Sequence, residues 1–132
     1  MTAAYVESSA LVKIAINEPD GPSLRQALRE HDAVVTSELA VVEVGRAARR
    51  DDGDAGLVRA RAALLGLAPV AIDRPILDRA AMLEPPALRS LDAVHVATAL
   101  ALEERDVVFY SYDRRTLDAA EANGLTVASP GV

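Results

Sequence analysis

The 132-residue sequence has no cysteine, no tryptophan, a single lysine and only four aromatic residues. The absence of cysteine excludes disulfides, thiolate metal sites and thiol nucleophiles. Tyr5, Phe109, Tyr110 and Tyr112 are too few for an aromatic platform that stacks single-stranded nucleic acid. No apolar run approaches the length of a membrane span, and no basic N-terminal stretch precedes an apolar one, so a cytoplasmic location without membrane contact is expected. What the sequence does have is apolar residues, at 51%. A chain of this length and content can bury a core as one domain spanning residues 1–132, with apolar surface left for a partner.

The net charge is −6, which ordinarily discourages a phosphate-binding role. Distribution matters more than sign, because carboxylates gathered around a divalent cation contribute negative charge that the ion offsets. Thirteen of the fourteen basic residues are arginine, the side chain suited to bidentate phosphate contacts.

No internal repeat, low-complexity tract or long linker divides the chain. Short apolar strands are expected at Ala3–Val6, Ala33–Thr36, Val70–Ile72, Val107–Tyr110 and Thr126–Ala128. Helices are expected at about Ser9–Ile16, Ser23–Glu30, Ser37–Arg50, from Asp54 to near Leu67, after Pro75, at Leu91–Glu104 and at Arg114–Asn123, the last closed by Gly124. The turn cluster Asn17–Pro22, the loop Asp51–Asp54 and the pair Pro85-Pro86 punctuate them. Alternation of apolar strands and helices gives an α/β fold with a parallel sheet covered on both faces. Ligands in such folds bind beyond the carboxyl ends of the strands.

Four carboxylates deserve inspection there. Glu7 follows the first strand directly. Asp113 stands three residues past Tyr110. Asp92 lies in the first turn of the apolar helix, after Ser90 as its candidate cap, and Glu43 sits among Val41, Val42 and Val44. Taken singly, Glu7, Asp92 and Asp113 also read as helix-start carboxylates favoured by free N–H groups and the macrodipole, and Glu43 as a half-exposed helix acid. Together, four carboxylates without cysteine or histidine suit a hard cation such as Mg²⁺ or Mn²⁺, and the chemistry that uses one is in-line displacement at phosphorus.

Four segments in order carry a resemblance. Tyr5-Val6-Glu7-Ser8-Ser9-Ala10-Leu11-Val12-Lys13 is similar to the opening of PIN-domain proteins, where an Asp followed by Thr/Ser-Ser ends the first strand. Thr36-Ser37-Glu38-Leu39-Ala40-Val41-Val42-Glu43-Val44 resembles the second signature, with its Glu. Leu91-Asp92-Ala93-Val94-His95-Val96-Ala97-Thr98-Ala99 resembles the third, whose Asp is catalytic, and Ser111-Tyr112-Asp113-Arg114-Arg115 the fourth. The likeness is to VapC-type toxins of VapBC toxin–antitoxin systems. It implies a three-layer α/β/α sandwich with a parallel sheet of four or five strands, and a Mg²⁺- or Mn²⁺-dependent endoribonuclease leaving 5′-phosphate and 3′-hydroxyl ends. It further implies an acidic pocket of Glu7, Glu43, Asp92 and Asp113, with Glu7 and Asp92 the expected direct ligands. A VapB-like antitoxin, homodimerisation and assembly into a toxin–antitoxin hetero-oligomer follow from the same likeness. Residues 9–16 and 37–67 are the expected antitoxin groove.

Position 7 departs from the pattern. Glutamate replaces the family's aspartate, and the added methylene displaces the carboxylate by up to about 1.5 Å. Mg²⁺ tolerates little distortion of its octahedron, so metal binding or turnover is expected to be weakened unless the backbone compensates.

Around the carboxylates, Arg46 and Arg50 share the helical face of Glu43 and are candidates to hold the RNA backbone, as are Arg114 and Arg115, with Arg89 a weaker one. As plain structure, Arg46 and Arg50 are a solvated basic helix end. Ser9 and Ser111 are candidates to hydrogen-bond the carboxylates. His95 reads as a packed, hydrogen-bonded structural histidine and His31 as a loop residue. A Ser9–His95–Asp92 triad has no strand–Gly-x-Ser-x-Gly–helix elbow to support it, and Asp51–Asp54 lacks the twelfth-position glutamate of a calcium loop, with Ala62 there instead. The rival functions are a PIN nuclease acting on rRNA precursors or DNA, a catalytically silent PIN-fold interaction module, and a phosphoryl-acceptor domain. The last needs an acidic pair after the first strand that this chain does not have.

Overall fold

A computed structural model describes residues 2–102 and 106–132. Five strands, β1 (Thr2–Val6), β2 (Ala33–Ser37), β3 (Ala68–Val70), β4 (Asp106–Tyr110) and β5 (Thr126–Ala128), form one sheet in the order β3-β2-β1-β4-β5. Every pairing is parallel. The helices are α1 (Ser8–Ala15), α2 (Gly21–Leu28), α3 (Leu39–Leu64), α4 (Arg74–Met82), α5 (Ser90–Leu100) and α6 (Arg114–Ala122).

The period of two in β1 assigns the layers. Ala4 and Val6 pack with Leu11 and Ile14 of α1, Leu24 of α2, and Ala40, Val44 and Ala48 of α3. Ala3 and Tyr5 point the other way, into Phe109, Val96 and Ala99 of α5 and Ala120 of α6. The result is the expected α/β/α sandwich, with β1 at its centre and Tyr5 stacked on Phe109 at 5.3 Å between ring centroids.

The chain runs outward from β1 through β2 to β3, then crosses to the other side of β1 for β4 and β5. The order therefore reverses beside β1, between β1 and β4, where a crevice opens beyond the strand ends. Val6 pairs with Tyr110 in that register, so Glu7 and Ser111 leave the sheet side by side, and the Glu7 N–H donates to the Tyr110 carbonyl at 3.0 Å.

Three boundaries differ from the sequence reading. The third strand is Ala68–Val70, not Val70–Ile72, because Val70 pairs with Ser37; Pro69 is accommodated since β3 is an edge strand bonded on one side only. Helix α2 begins at Gly21, with Pro22 in its first turn, where the missing N–H costs nothing. The Asp51–Asp54 loop is a kink within α3: only Asp52 and Gly53 leave helical geometry, Gly53 at φ +56° and ψ −139°, a conformation open to glycine alone. Two helical arms meet there. The expected end of α5 at Glu104 lies outside the described residues, and the helix is described to Leu100.

Candidate active site

Each candidate carboxylate is placed by the end of a strand or the start of a helix. Glu7 caps α1, and its carboxylate accepts from the Ser9 N–H at 3.0 Å and from the Ser9 and Ser111 hydroxyls, the latter at 2.6 Å. Each hydroxyl has one proton, and both are spent on Glu7 Oε1. The Ser9–Ser111 approach of 3.2 Å is therefore a contact between oxygens. Both serine oxygens accept in turn, Ser9 from the Tyr112 N–H at 2.9 Å and Ser111 from the Asp113 N–H at 3.1 Å. This small ring ties the end of β1 to the turn after β4. The longer side chain at position 7 folds back as a cap, and Glu7 is only 5% exposed.

Asp113 caps α6 through Oδ1, which accepts from the Arg115 and Thr116 N–H groups at 3.0 and 3.3 Å. Its Oδ2 accepts from Arg89 Nη2 at 3.2 Å, while Arg89 Nε donates to Asp92 Oδ2 at 2.9 Å. One guanidinium thus bridges Asp92 and Asp113. Hydrogen bonding to Asp92 and its charge, then the charges of Asp113 and Glu7, hold that guanidinium protonated still more firmly than usual.

Glu43 joins from the other side. Ser8, next to Glu7 in the chain, donates to Glu43 Oε1 at 2.6 Å, and His95 Nε2 lies 2.7 Å from the same oxygen. His95 is fully buried, as expected of a packed histidine, and its Nδ1 stands 2.6 Å from the Tyr5 hydroxyl. With Nε2–H facing Glu43, Nδ1 accepts from Tyr5, giving a chain Tyr5 → His95 → Glu43 across the sheet. Burial pushes the Tyr5 phenol well above its ordinary value, so it remains a donor. Burial also pushes the Glu43 carboxyl up, but the hydrogen bonds from His95 and Ser8 outweigh it and leave the carboxyl below its ordinary value of 4.5. Folding thereby favours the ionised form. Its stabilisation is complete above pH 4.5 and is lost as pH falls through the lowered folded value. In urea unfolding between pH 6 and 3, the stability advantage of the chain over Glu43→Gln should shrink steadily below pH 4.5; a gap independent of pH would contradict this.

The arginines divide. Arg46 and Arg50, with Arg49, line a shallow surface depression on the first arm of α3, all exposed. Arg114 is turned along its own helix towards Asp118, 3.8 Å away. Arg115 lines a cleft of about 730 Å³ between α6 and the segment before α5, together with Arg89 and Asp92. No local signal points Ser8 to Glu43 or Tyr5 to His95, partners that lie 35 and 90 positions away. Sequence spacing also places Arg89 below Arg46, Arg50, Arg114 and Arg115, whose guanidinium groups make no hydrogen bond to the four carboxylates.

The donors facing the crevice are oxygens alone, the set a hard divalent cation takes. Among the described residues, no three His, Asp or Glu side chains stand close enough as they lie to cage an ion. A cation is nonetheless already present among three of the carboxylates, the Arg89 guanidinium. The site accordingly fits a divalent ion in charge and donor chemistry, at a position that this side chain now serves.

Comparison with known proteins agrees with this architecture. The PIN domain family model matches residues 4–122, and the chain belongs to that family. Its relatives include Ribonuclease VapC46 of Mycobacterium tuberculosis (strain ATCC 25618 / H37Rv), 42% identical over 130 residues, which cover 98% of this chain and 99% of the relative. Two solved structures share the fold. VapBC2 from Rickettsia felis, bound to a DNA fragment from their promoter, superposes with a TM-score of 0.75 at 10% identity, covering 97% of this chain and 98% of that one. Mycobacterium tuberculosis VapC20, a Sarcin-Ricin loop cleaving toxin, gives 0.73 at 15% identity, covering 96% and 99%.

Proposed function

We propose that this chain is a Mg²⁺- or Mn²⁺-dependent endoribonuclease, the toxin of a type II toxin–antitoxin pair acting in the cytoplasm. The observation that carries the reading is the Arg89 bridge: Asp92 and Asp113, 21 positions apart in sequence, converge on one cation beside Glu7 at the switch point of the sheet. Glu7, Asp92 and Asp113 are the residues that would hold the metal. When bound, the ion supplies charge neutralisation at the phosphate and activates water for in-line attack.

The chain's own groups do the rest. The Ser9 and Ser111 hydroxyls fix Glu7 Oε1 in place. The buried Tyr5–His95 pair aims Glu43 at the crevice, where its carboxylate orients water and takes up a proton. Arg115 at the cleft, and Arg46, Arg50 and Arg114 on the helices, supply phosphate contacts along the RNA backbone.

A VapB-like antitoxin fits the surface of α3. Val41, Val42, Val58 and Leu65, all on or at the end of that helix, are more than half exposed, apolar surface of the kind a partner segment covers. A homodimer within a toxin–antitoxin hetero-oligomer completes the proposal. No helix among the described residues is long and apolar enough to cross a membrane.

The test is incubation of the purified chain with total RNA in Mg²⁺, Mn²⁺ or chelator, followed by end mapping. Metal-dependent cuts with 5′-phosphate and 3′-hydroxyl ends are expected, and chelator should abolish them. Glu7→Asp, with the shorter reach, should cleave about tenfold faster at limiting metal, the scale of small changes in ligand placement. Equal rates would remove the attenuation idea. Metal-independent cutting would remove the metal dependence, and no cutting by either chain would remove the nuclease reading.

A further inference from the structure

Resting on the metal-centre reading above, we propose that Arg89 is an internal counter-cation of the site, which a divalent ion has to displace, so that this residue sets the chain's metal affinity. The carboxylate oxygens of the site are largely committed. Asp113 Oδ1 caps α6, leaving Oδ2 as its crevice-facing acceptor, and Arg89 holds that atom. Glu7 Oε1 takes two hydroxyls and Oε2 the Ser9 N–H. Asp92 Oδ2 is the second atom that Arg89 holds. An ion bound by Asp92 and Asp113 competes for the same two oxygens. It also places a double positive charge within a few ångströms of a guanidinium, a repulsion that neither position relieves while both are filled.

Release is feasible. The Arg89 side chain is 64% exposed, so its two ion pairs are partly screened and yield at modest cost. It already lines the cleft of about 730 Å³ shared with Arg115, which offers it a place to turn. The backbone of Arg89 is extended (φ −64°, ψ 148°) and its side chain makes no capping bond to α5, so nothing in the helix start depends on its present rotamer. With metal absent, the bridge offsets repulsion among Asp92, Asp113 and Glu7. With metal present it is redundant. The chain thus takes up metal only where the free ion outcompetes its own arginine.

The experiment is titration of the full chain with Mn²⁺ alone, followed by electron paramagnetic resonance of the free ion and by calorimetry. Arg89→Gln should bind Mn²⁺ about fivefold to tenfold more tightly, the scale of two partly exposed charge-assisted pairs. Arg89→Lys, a point charge that cannot bridge both aspartates at once, should fall between. In thermal unfolding, Arg89→Gln should melt lower than the unsubstituted chain without metal and gain more on adding Mn²⁺. Equal or weaker Mn²⁺ binding by Arg89→Gln overturns the counter-cation and leaves the nuclease reading standing. Failure of every chain to bind Mn²⁺ overturns both.

Discussion

Replacing Asp92 with Asn should lower RNA cleavage by about a hundredfold to a thousandfold while leaving the fold intact. The rate effect is of the size seen when a preorganised charged or polar group is removed from a transition-state site. Asp92 is 9% exposed and presents Oδ2 to the guanidinium that also binds Asp113. Asn keeps the shape and loses the charge, so one cation-binding oxygen is weakened and the field shared with Glu7 and Asp113 falls by a full unit. The stability effect is set by different terms. A carboxylate in the first turn of α5 contributes about 0.3–1 kcal/mol through the helix dipole, and the ion pair with the exposed Arg89 side chain adds little because solvent screens it. Opposing these, Asn relieves repulsion between Asp92 and its acidic neighbours. The variant should therefore melt within a few degrees of the unsubstituted chain, read by circular dichroism, while its initial cleavage rate collapses. Undiminished cleavage would mean that Asp92 serves only as a helix-start carboxylate.

The largest expected effect on stability lies away from the carboxylates. A Cβ at Gly56 would stand 2.0 Å from the Ala48 carbonyl oxygen and 2.7 Å from its carbon. Both are backbone atoms of the first arm of α3, so no side chain can turn aside. The two arms approach this closely because Asp52 and Gly53 fold the helix back on itself, and Gly56 faces Ala48 across the bend. Gly56→Ala must push the arms apart, which also disturbs the contact of α1 with α3. A loss of about 3 kcal/mol is expected, at the upper end of overpacking costs, corresponding to about 10 °C in Tm for a chain of this size. Gly66, with nothing within 4 Å of an added Cβ, is the control, and Gly66→Ala should be neutral within about 0.5 kcal/mol. Because the first arm, against which Gly56 packs, carries Glu43, Gly56→Ala should also reduce cleavage at temperatures where it remains folded. Comparable stability of the two alanine variants would show that the arms do not pack as described.

The five-stranded parallel sheet and its helical layers were legible in the sequence because the cues are local. Apolar strands of three to five residues alternate with helices, and carboxylates follow strand ends or open helices. Glu7, Asp92 and Asp113 could be picked out on that basis, and His95 could be read as buried from the apolar residues on every side of it. The kink at Asp52-Gly53 was read as a loop, since glycine beside aspartate breaks local pattern whether the chain turns for two residues or four. The third strand was misplaced by two positions because pairing with Ser37, a tertiary choice, outweighed the preference for an apolar run.

Determined by the sequence itself were the supply of groups: all-oxygen donors with no thiol to compete, arginine as nearly the only cation, and a glutamate where the family's pattern has aspartate. Which of those groups meet was decided by the tertiary structure alone. Sequence spacing fixes neighbours only within a helical turn or a strand, whereas Arg89 reaches Asp113 across 24 positions and Tyr5 reaches His95 across 90. Those meetings depend on β4 crossing to lie beside β1, an arrangement that the packing of both sheet faces selects and that no local pattern encodes.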